Sequence, residues 1–417
     1  MKIMFKKQLI KIGLLSMISG VFMVACTDLE IKETDSIISD GSGGSGFTGV
    51  ENVDGAIQNL YNAVQGAIVE QNDWYALQEV STDELLVPTR GTDWGDNGIW
   101  RTLHQHAWSP SHLYVFEAWN DMNRIIFNTT EIIDPRSNAT TAQLAEAKFL
   151  WAFAMHQVLD LYGQVPFRTP DEGPDIEPSV FQRADAYTFV LDDLNAAIDG
   201  LPDSGPNNTE TQFATKQAAQ FLKARVLLNG HVYKGTGTAE PADMQEVINL
   251  VDAITAQGYA LQEGYFDIFT NEQDTETIWW LGAGVGNRIW NGMHYNMITE
   301  DTGGGGWNGF TTLAEFYDLF EGAPNSNRVG DGQEERRGWV PDATNTDETN
   351  LGFGYGFLLG QQYNLNPESK EVVKLQDRAK NDLVFTKELP GLVGNNEATG
   401  IRVLKYHPAN PGGSYVG

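Results

Sequence analysis

"LAEAKFLWAFAMHQVLDLYGQVPF", Leu144 to Phe167, is the stretch on which the fold turns. Its apolar positions Leu144, Ala147, Trp151, Ala154, Val158 and Leu161 recur by threes and fours, which places them on one face of a helix. Upstream, Thr140 and Gln143 have the spacing of a capping box, and Gly163 can take the left-handed conformation that ends a helix. The reading is one long helix that stops at Gly163.

The same period runs to either side. Val53, Ile57, Leu60, Val64 and Ala67 predict an earlier helix, and Phe116, Trp119, Asn123 and Ile126 a second. Tyr187, Leu191, Leu194, Ile198 and Leu201 predict another, closed by Gly200 and Pro202. A helix from about Thr215 to Tyr233 packs Ala219, Leu222 and Val226, and Met244, Val247, Val251 and Ile254 mark the last. The segments Phe149 to Ala152 and Phe221 to Ala224 are separated by about twice the roughly 34-residue tetratricopeptide period, which suggests stacked helix pairs. Consensus positions of that repeat are poorly matched, so spacing alone gives an irregular helical repeat. Beyond residue 260 short β-like stretches (Thr277 to Leu281, Leu383 to Lys387, Ile401 to Tyr406) lie among glycine-rich loops such as Gly303 to Gly306. The predicted fold class is mainly α, a tetratricopeptide-like scaffold joined to an irregular loop-rich region with a few short β-strands. Loops on such a scaffold are where binding residues sit.

At the other end, Lys2, Lys6, Lys7 and Lys11 precede and enter an apolar run, Leu9 to Ala25, that ends at Cys26, the one cysteine of the chain. The run is shorter than the roughly 20 residues a bilayer span needs. Met23, Val24, Ala25 and Cys26 read as a bacterial lipobox with the cysteine acylated, although leucine is commoner than methionine at its first position; a plain secretory signal is the alternative. A Gly/Ser tract from Gly41 to Gly46 follows. The expected organisation is a signal over 1–25, a lipidated tether over 26–49, a mainly helical scaffold with N-terminal ligand loops over 50–260, and a loop-rich ligand-binding half over 261–417.

The chain carries 27 basic and 56 acidic residues, a net charge of −29, which becomes about −33 once the four leader lysines are removed. Phosphate backbones and anionic headgroups repel such a chain, so nucleic acid is excluded as a partner and the lipid must supply the membrane contact. No GxSxG elbow, HExxH or P-loop is present, and Gly282, Gly284 and Gly286 lack the spacing of a dinucleotide fingerprint. His104, His106 and His112 invite a metal reading, weighed against surface or packed histidines, and the expectation is no metal and no cofactor. Asp93, Asp96, Asn97 and Gly98 are only fragments of a calcium loop. Carboxylates are too numerous for any pair to single out a glycosidase.

Two loop-like regions interleave aromatic with polar residues: Trp74, Tyr75, Arg90, Asp93, Trp94, Asn97, Trp100 and Arg101 in one, Trp290, Asn291, His294, Tyr295, Trp307 and Asn308 in the other. Sugar rings stack C–H faces on indoles and bond their hydroxyls to amides, carboxylates or guanidiniums. The competing reading is that these tryptophans pin loops to the scaffold.

In order along the chain, "STDELLVPTRGTDWGDNGIWRTLHQHAW" (Ser81 to Trp108), the opening stretch, "FVLDDLNAAIDGLP" (Phe189 to Pro202), "ATKQAAQFLKARVLLNG" (Ala214 to Gly230), "GYALQEGYFDIF" (Gly258 to Phe269), "GFTTLAEFYDLFEG" (Gly309 to Gly322) and "GIRVLKYHP" (Gly400 to Pro408) resemble the SusD/RagB-like nutrient-binding lipoproteins of the Bacteroidetes outer membrane. The resemblance implies four tetratricopeptide-like helix pairs, an arc of aromatic and amide side chains on loops, and partnership with a TonB-dependent, SusC-like outer-membrane transporter over which the lipoprotein acts as a lid. It implies capture of an oligosaccharide at the cell exterior without catalysis. Carried onto this chain, it favours Trp74, Trp94, Asn97, Trp100, Arg101, Trp290 and Trp307 as ligand-binding residues and Cys26 as the lipidated one. A docking subunit with little ligand affinity or with peptide specificity, and an α-helical glycoside hydrolase, are the alternatives. Family members continue past the "GIRVLKYHP" strand into further helices, so the resemblance also predicts a missing C-terminal end.

Overall fold

A computed structural model describes residues 46–173, 175–206, 212–269, 273–281, 306–322, 334–339, 354–365, 369, 371–377 and 379–405. The long helix of the opening stretch, α5 below, spans Thr141–Tyr162 and is capped as its sequence demands: Gln143 N–H donates to the Thr140 hydroxyl and Thr140 N–H to the Gln143 side chain, and Gly163 closes it at φ 74°. It is buried on nearly every side, because helices lie against both its flanks. Among the described residues the helices are, in chain order, α1 (Val53–Ile68), α2 (Asp73–Glu79), α3 (Ile99–His104), α4 (Leu113–Ile133), α5, α6 (Arg183–Gly200), α7 (Lys216–Leu228), α8 (Gly230–Lys234), α9 (Pro241–Thr255) and α10 (Ala314–Tyr317). Sequential contacts α1–α4, α4–α5, α5–α6, α6–α7 and α7–α9 make the helical scaffold a row of neighbours, as a helical repeat requires. Small residues allow the close approaches: a Cβ on Gly200, at the end of α6, would lie 2.7 Å from the Ala145 Cβ of α5. Among the described residues no helix is long and apolar enough to cross a membrane.

Three sequence expectations need correcting. Helix α4 buries Tyr114, Ala118, Met122, Ile125, Ile126 and Thr129, whereas Phe116 is 51% exposed. The helix carries apolar side chains on more than one side, and contact with α1, α2 and α5 selects the stripe that is buried. The helix expected over Thr215 to Tyr233 breaks at Asn229, where φ and ψ of −98° and 7° leave the helical region. A Cβ on Gly230 would come within 2.6 Å of the Tyr187 hydroxyl, and past the break Tyr233 O–H donates to Asp160 at 2.8 Å. Thr277 to Leu281 is not a strand. Asp274 Oδ1 accepts from Glu276 N–H and Thr277 N–H, and Trp279 then lodges edge-on against Phe149 and Phe153 of α5, with centroids 5.0 and 5.4 Å away.

The strands are short. β1 (Gln164–Phe167) and β2 (Ser179–Gln182) form an antiparallel hairpin in the register Gln164↔Gln182. β3 (Gly338–Trp339), β4 (Tyr355–Leu358) and β9 (Arg402–Leu404) form an antiparallel sheet in the order β3-β4-β9. β5 (Gly360–Gln361) pairs with β8 (Val384–Phe385), and β6 (Tyr363–Leu365) with β7 (Val372–Lys374). The two remaining β-like stretches thus contain strands shorter than expected, and Tyr406 lies outside the described residues.

Two hydrophobic clusters result. The first belongs to the scaffold helices and reaches from Val53 to Leu250. The second joins Ala76, Val80, Leu85, Val87, Trp100, Leu103 and Tyr114 to Phe310, Tyr317, Phe357, Ile401 and Val403, so loops on both sides of residue 260 share one core. Paired main-chain bonds between Leu86 and Thr311, at 2.8 and 2.9 Å, seal that junction. The described residues from Phe47 onward form one compact unit.

Candidate functional site

The second cluster brings together parts of the two aromatic-polar regions. Trp94 sits on the turn after β-bridged Arg90 and Asp93, and its indole N–H donates to the Trp307 carbonyl at 2.9 Å. A Cβ on Gly309 would lie 2.5 Å from the Trp94 ring, so only glycine allows that ring to lie where it does. Trp94 meets Trp100 and Phe310 edge-to-face, with centroids 5.7 and 6.1 Å apart. Trp307 remains 39% exposed. Left-handed backbone marks both segments: Trp94 (φ 58°), Asp96 (34°), Asn97 (53°) and Asn308 (54°). Non-glycine residues in sparsely populated backbone regions cost roughly 1 to 3 kcal/mol each, and such strain persists where surrounding contacts enforce it. A groove of about 530 Å³ lined by Asp96, Asn97, Ile99, Thr102, His112 and Tyr114 adjoins this turn.

The other predicted site residues divide. Asn97 is exposed on the same turn as Trp94. Arg101, in the last turn of α3, donates to the Thr89 hydroxyl, which itself reaches the Trp94 carbonyl at 3.4 Å. Trp100 is 2% exposed, with its N–H on Asp96 Oδ2 at 2.9 Å and its ring 4.9 Å from Tyr114 and 5.6 Å from Phe310. It has no free face for a sugar, because the amphipathic α3 turns it into the second core. Trp74 packs on the first cluster and donates to Gln157 Oε1 of α5 at 2.9 Å, whereas Trp94 packs on the second. Trp290 and Cys26 lie outside the described residues.

The histidines serve the backbone: His106 meets the Ser81 carbonyl at 2.7 Å and His112 the Ile99 carbonyl at 3.0 Å. Among the described residues no group of three or more His, Cys, Asp or Glu converges as a metal site. Sequence reasoning passed over Asp73, at the start of α2 with φ 51°. Burial, and then the carboxylates of Asp121, Glu117 and Glu70, push its pKa up to about 7. Its one local signal is the acidic composition around it. Arg90 and Asn308 stood in the two aromatic-polar regions but outside the predicted ligand-binding set, and Arg402 was missed; all three are buried, and the Asn308–Gly309 dipeptide was the available turn signal. A separate cavity of about 510 Å³ lies on the helical scaffold, lined by Tyr61, Glu146, Asp203 and Phe213 among others.

A helical-repeat scaffold that carries short-stranded loops with aromatic residues is the architecture of SusD-like proteins, and the chain has that fold. It superposes on a SusD-like protein of Bacteroides fragilis with a TM-score of 0.59 at 20% identity, over 86% of this chain and 69% of that one. Against a laminarin-binding SusD-like protein the TM-score is 0.52 at 19% identity, over 66% and 64% of the two chains. In sequence the chain is similar to the starch-binding protein SusD of Bacteroides thetaiotaomicron, 25% identical over 288 residues, 66% of this chain and 50% of that protein. It thus spans about half the length of that relative. No protein-family model matches the chain.

Proposed function

We propose that this protein captures a nutrient oligomer, a glycan, on the face built around Trp94, Trp307 and Asn97, and hands it uncut to a TonB-dependent outer-membrane transporter. The observation that carries the reading is the Trp94 indole tied by its N–H to the main-chain carbonyl of Trp307, with the Trp307 side chain exposed and left-handed backbone in both segments. Such a platform offers a pre-set apolar ledge for pyranose C–H faces, and Asn97 adds amide hydrogen-bonding capacity on the same turn. Similarity to a starch-binding and a laminarin-binding protein supports a glucan as the first ligand to try. Trp290 extends the proposed surface on sequence grounds, and acylation at Cys26 would hold the protein at the outer membrane.

Titration of the full chain with maltodextrins and laminari-oligosaccharides, followed by tryptophan fluorescence with reducing ends assayed in the same samples, tests the reading. Saturable binding without new reducing ends is the expected outcome. Release of reducing ends would replace capture with hydrolysis, and a folded chain that binds neither glucan would favour the docking-subunit alternative.

A further inference from the structure

Behind the tryptophans lie two buried arginines, Arg90 (4% exposed) and Arg402 (1%). Arg90 Nη1 donates to the carbonyls of Asn396 at 2.9 Å and Thr399 at 2.7 Å and to the Thr399 hydroxyl at 3.3 Å, while its Nε reaches the Gly309 carbonyl at 3.4 Å. Arg402 Nη1 donates to the carbonyls of Thr399 and Gly400, both at 2.8 Å, its Nη2 to the Glu397 carbonyl at 2.7 Å, and its Nε to the Asn308 side-chain oxygen. Asn308 closes the circuit by donating Nδ2–H to Glu397 at 3.0 Å, and the Arg402 guanidinium lies 4.7 Å over the Phe385 ring.

Among the described residues the Arg90 side chain bonds to main-chain carbonyls and one hydroxyl and to no carboxylate, so its cation is held in the core by neutral acceptors. Burying a charge in this way is unfavourable unless something specific is gained. Here the gain is geometric. A guanidinium presents a rigid fork of donors, so one side chain reaches both the 396–399 turn and the Gly309 carbonyl; an ammonium is a point charge and cannot span them. Asn308 and Gly309 directly follow Trp307, and Gly309 lies under the Trp94 ring.

We infer that Arg90 and Arg402 are the positioning residues of the Trp94–Trp307 platform, two guanidiniums that gather the carbonyls of the 396–400 turn and clamp it to Asn308 and Gly309, fixing where the two indoles stand. The consequence for ligand affinity rests on the glycan-capture reading; the positioning itself does not.

The test reads the platform directly. The near-UV circular dichroism of the full chain minus that of Trp307→Phe isolates the Trp307 band. In Arg90→Lys and Arg402→Lys that band collapses, far-UV helicity stays, and affinity for whichever of maltodextrin or laminari-oligosaccharide the wild type binds falls about tenfold, the effect of about 1.4 kcal/mol of misplaced contact. An unchanged Trp307 band in both variants overturns the inference, whatever the melting temperature does. Should the arginine variants not fold, Asn308→Gly decides: glycine accepts the φ of 54° and removes the side-chain bonds to Arg402 and Glu397. Loss of the band in that variant supports the clamp and its retention overturns it. If the wild type binds neither glucan, the capture reading fails while the spectral arm still decides the positioning.

Discussion

Trp307 and Trp100 show how one residue type takes two roles. Trp307 is 39% exposed where Trp100 is 2%, so Trp307→Ala is expected to weaken glycan binding by about tenfold or more, the loss of roughly one stacked ring, while costing less stability than Trp100→Ala. Trp100→Ala opens a cavity in the second core and is expected to cost about 3 to 5 kcal/mol in denaturant unfolding. Equal stability losses in the two variants would contradict this assignment. Asp73 supplies a pH test. Its folded pKa of about 7 stands above the ordinary 3.8, so the folded chain retains a proton that the unfolded chain has lost. The group's contribution is therefore full below about pH 4 and disappears as pH rises through about 7. Asp73→Asn, which suits the left-handed φ of 51°, should raise the melting temperature at pH 8 and leave it unchanged near pH 4. The facing groups are Asp121, Glu117 and Glu70, with the phenols of Tyr114 and Tyr162, whose pKa values are raised by burial first and by the Asp73 charge as a lesser cause. A melting difference of the same size at both pH values would exclude the shift.

Among the helices, local sequence and tertiary contact act with different weights. The start of α5 is set locally by the reciprocal Thr140 and Gln143 bonds, and Thr140→Ala should cost about 1 kcal/mol in denaturant unfolding. An effect within error would mean that packing alone holds the helix start. Helix α9 is the contrasting case. It buries Leu250 and Ile254 but leaves Ile248 and Val251 about half exposed, beside exposed Phe221 and Leu228 on α7. Since Ile248 loses little packing on replacement, Ile248→Lys is expected to change stability by less than about 0.5 kcal/mol. A loss of several kcal/mol would reveal that this face is covered in solution.

Over the whole molecule the dominant quantity is charge. At −29 the chain repels polyanions, and stacking of neutral sugars on indoles involves no counterion release. Affinity for a neutral glucan should therefore be the same in low and high salt, whereas sulfated or uronate-rich polysaccharides should bind poorly and improve only as salt screens the repulsion. A neutral-glucan affinity that falls steeply with salt would point to a charged contact in place of the tryptophan platform. The fold agrees with that of SusD-like proteins at 20% identity, which is what a helical scaffold with variable loops allows: the scaffold needs only apolar residues at the right period, and many sequences supply them.

What the sequence determined by itself was local. Caps, the three-and-four period and Gly163 wrote α5 into the chain, because each acts within a few residues of itself. Aromatic-polar interleaving marked the two segments that carry Trp94 and Trp307, but gave no means of ranking one tryptophan above another. Only the tertiary structure turned Trp100 inward, drew Trp74 onto α5, chose the buried stripe of α4 and made Trp279 a wedge in place of a strand residue. It also brought Arg90, about three hundred positions away in sequence, onto the carbonyls of Asn396 and Thr399. Burial and long-range hydrogen bonds depend on which surfaces meet, and that is a property of the folded chain, which no local pattern encodes.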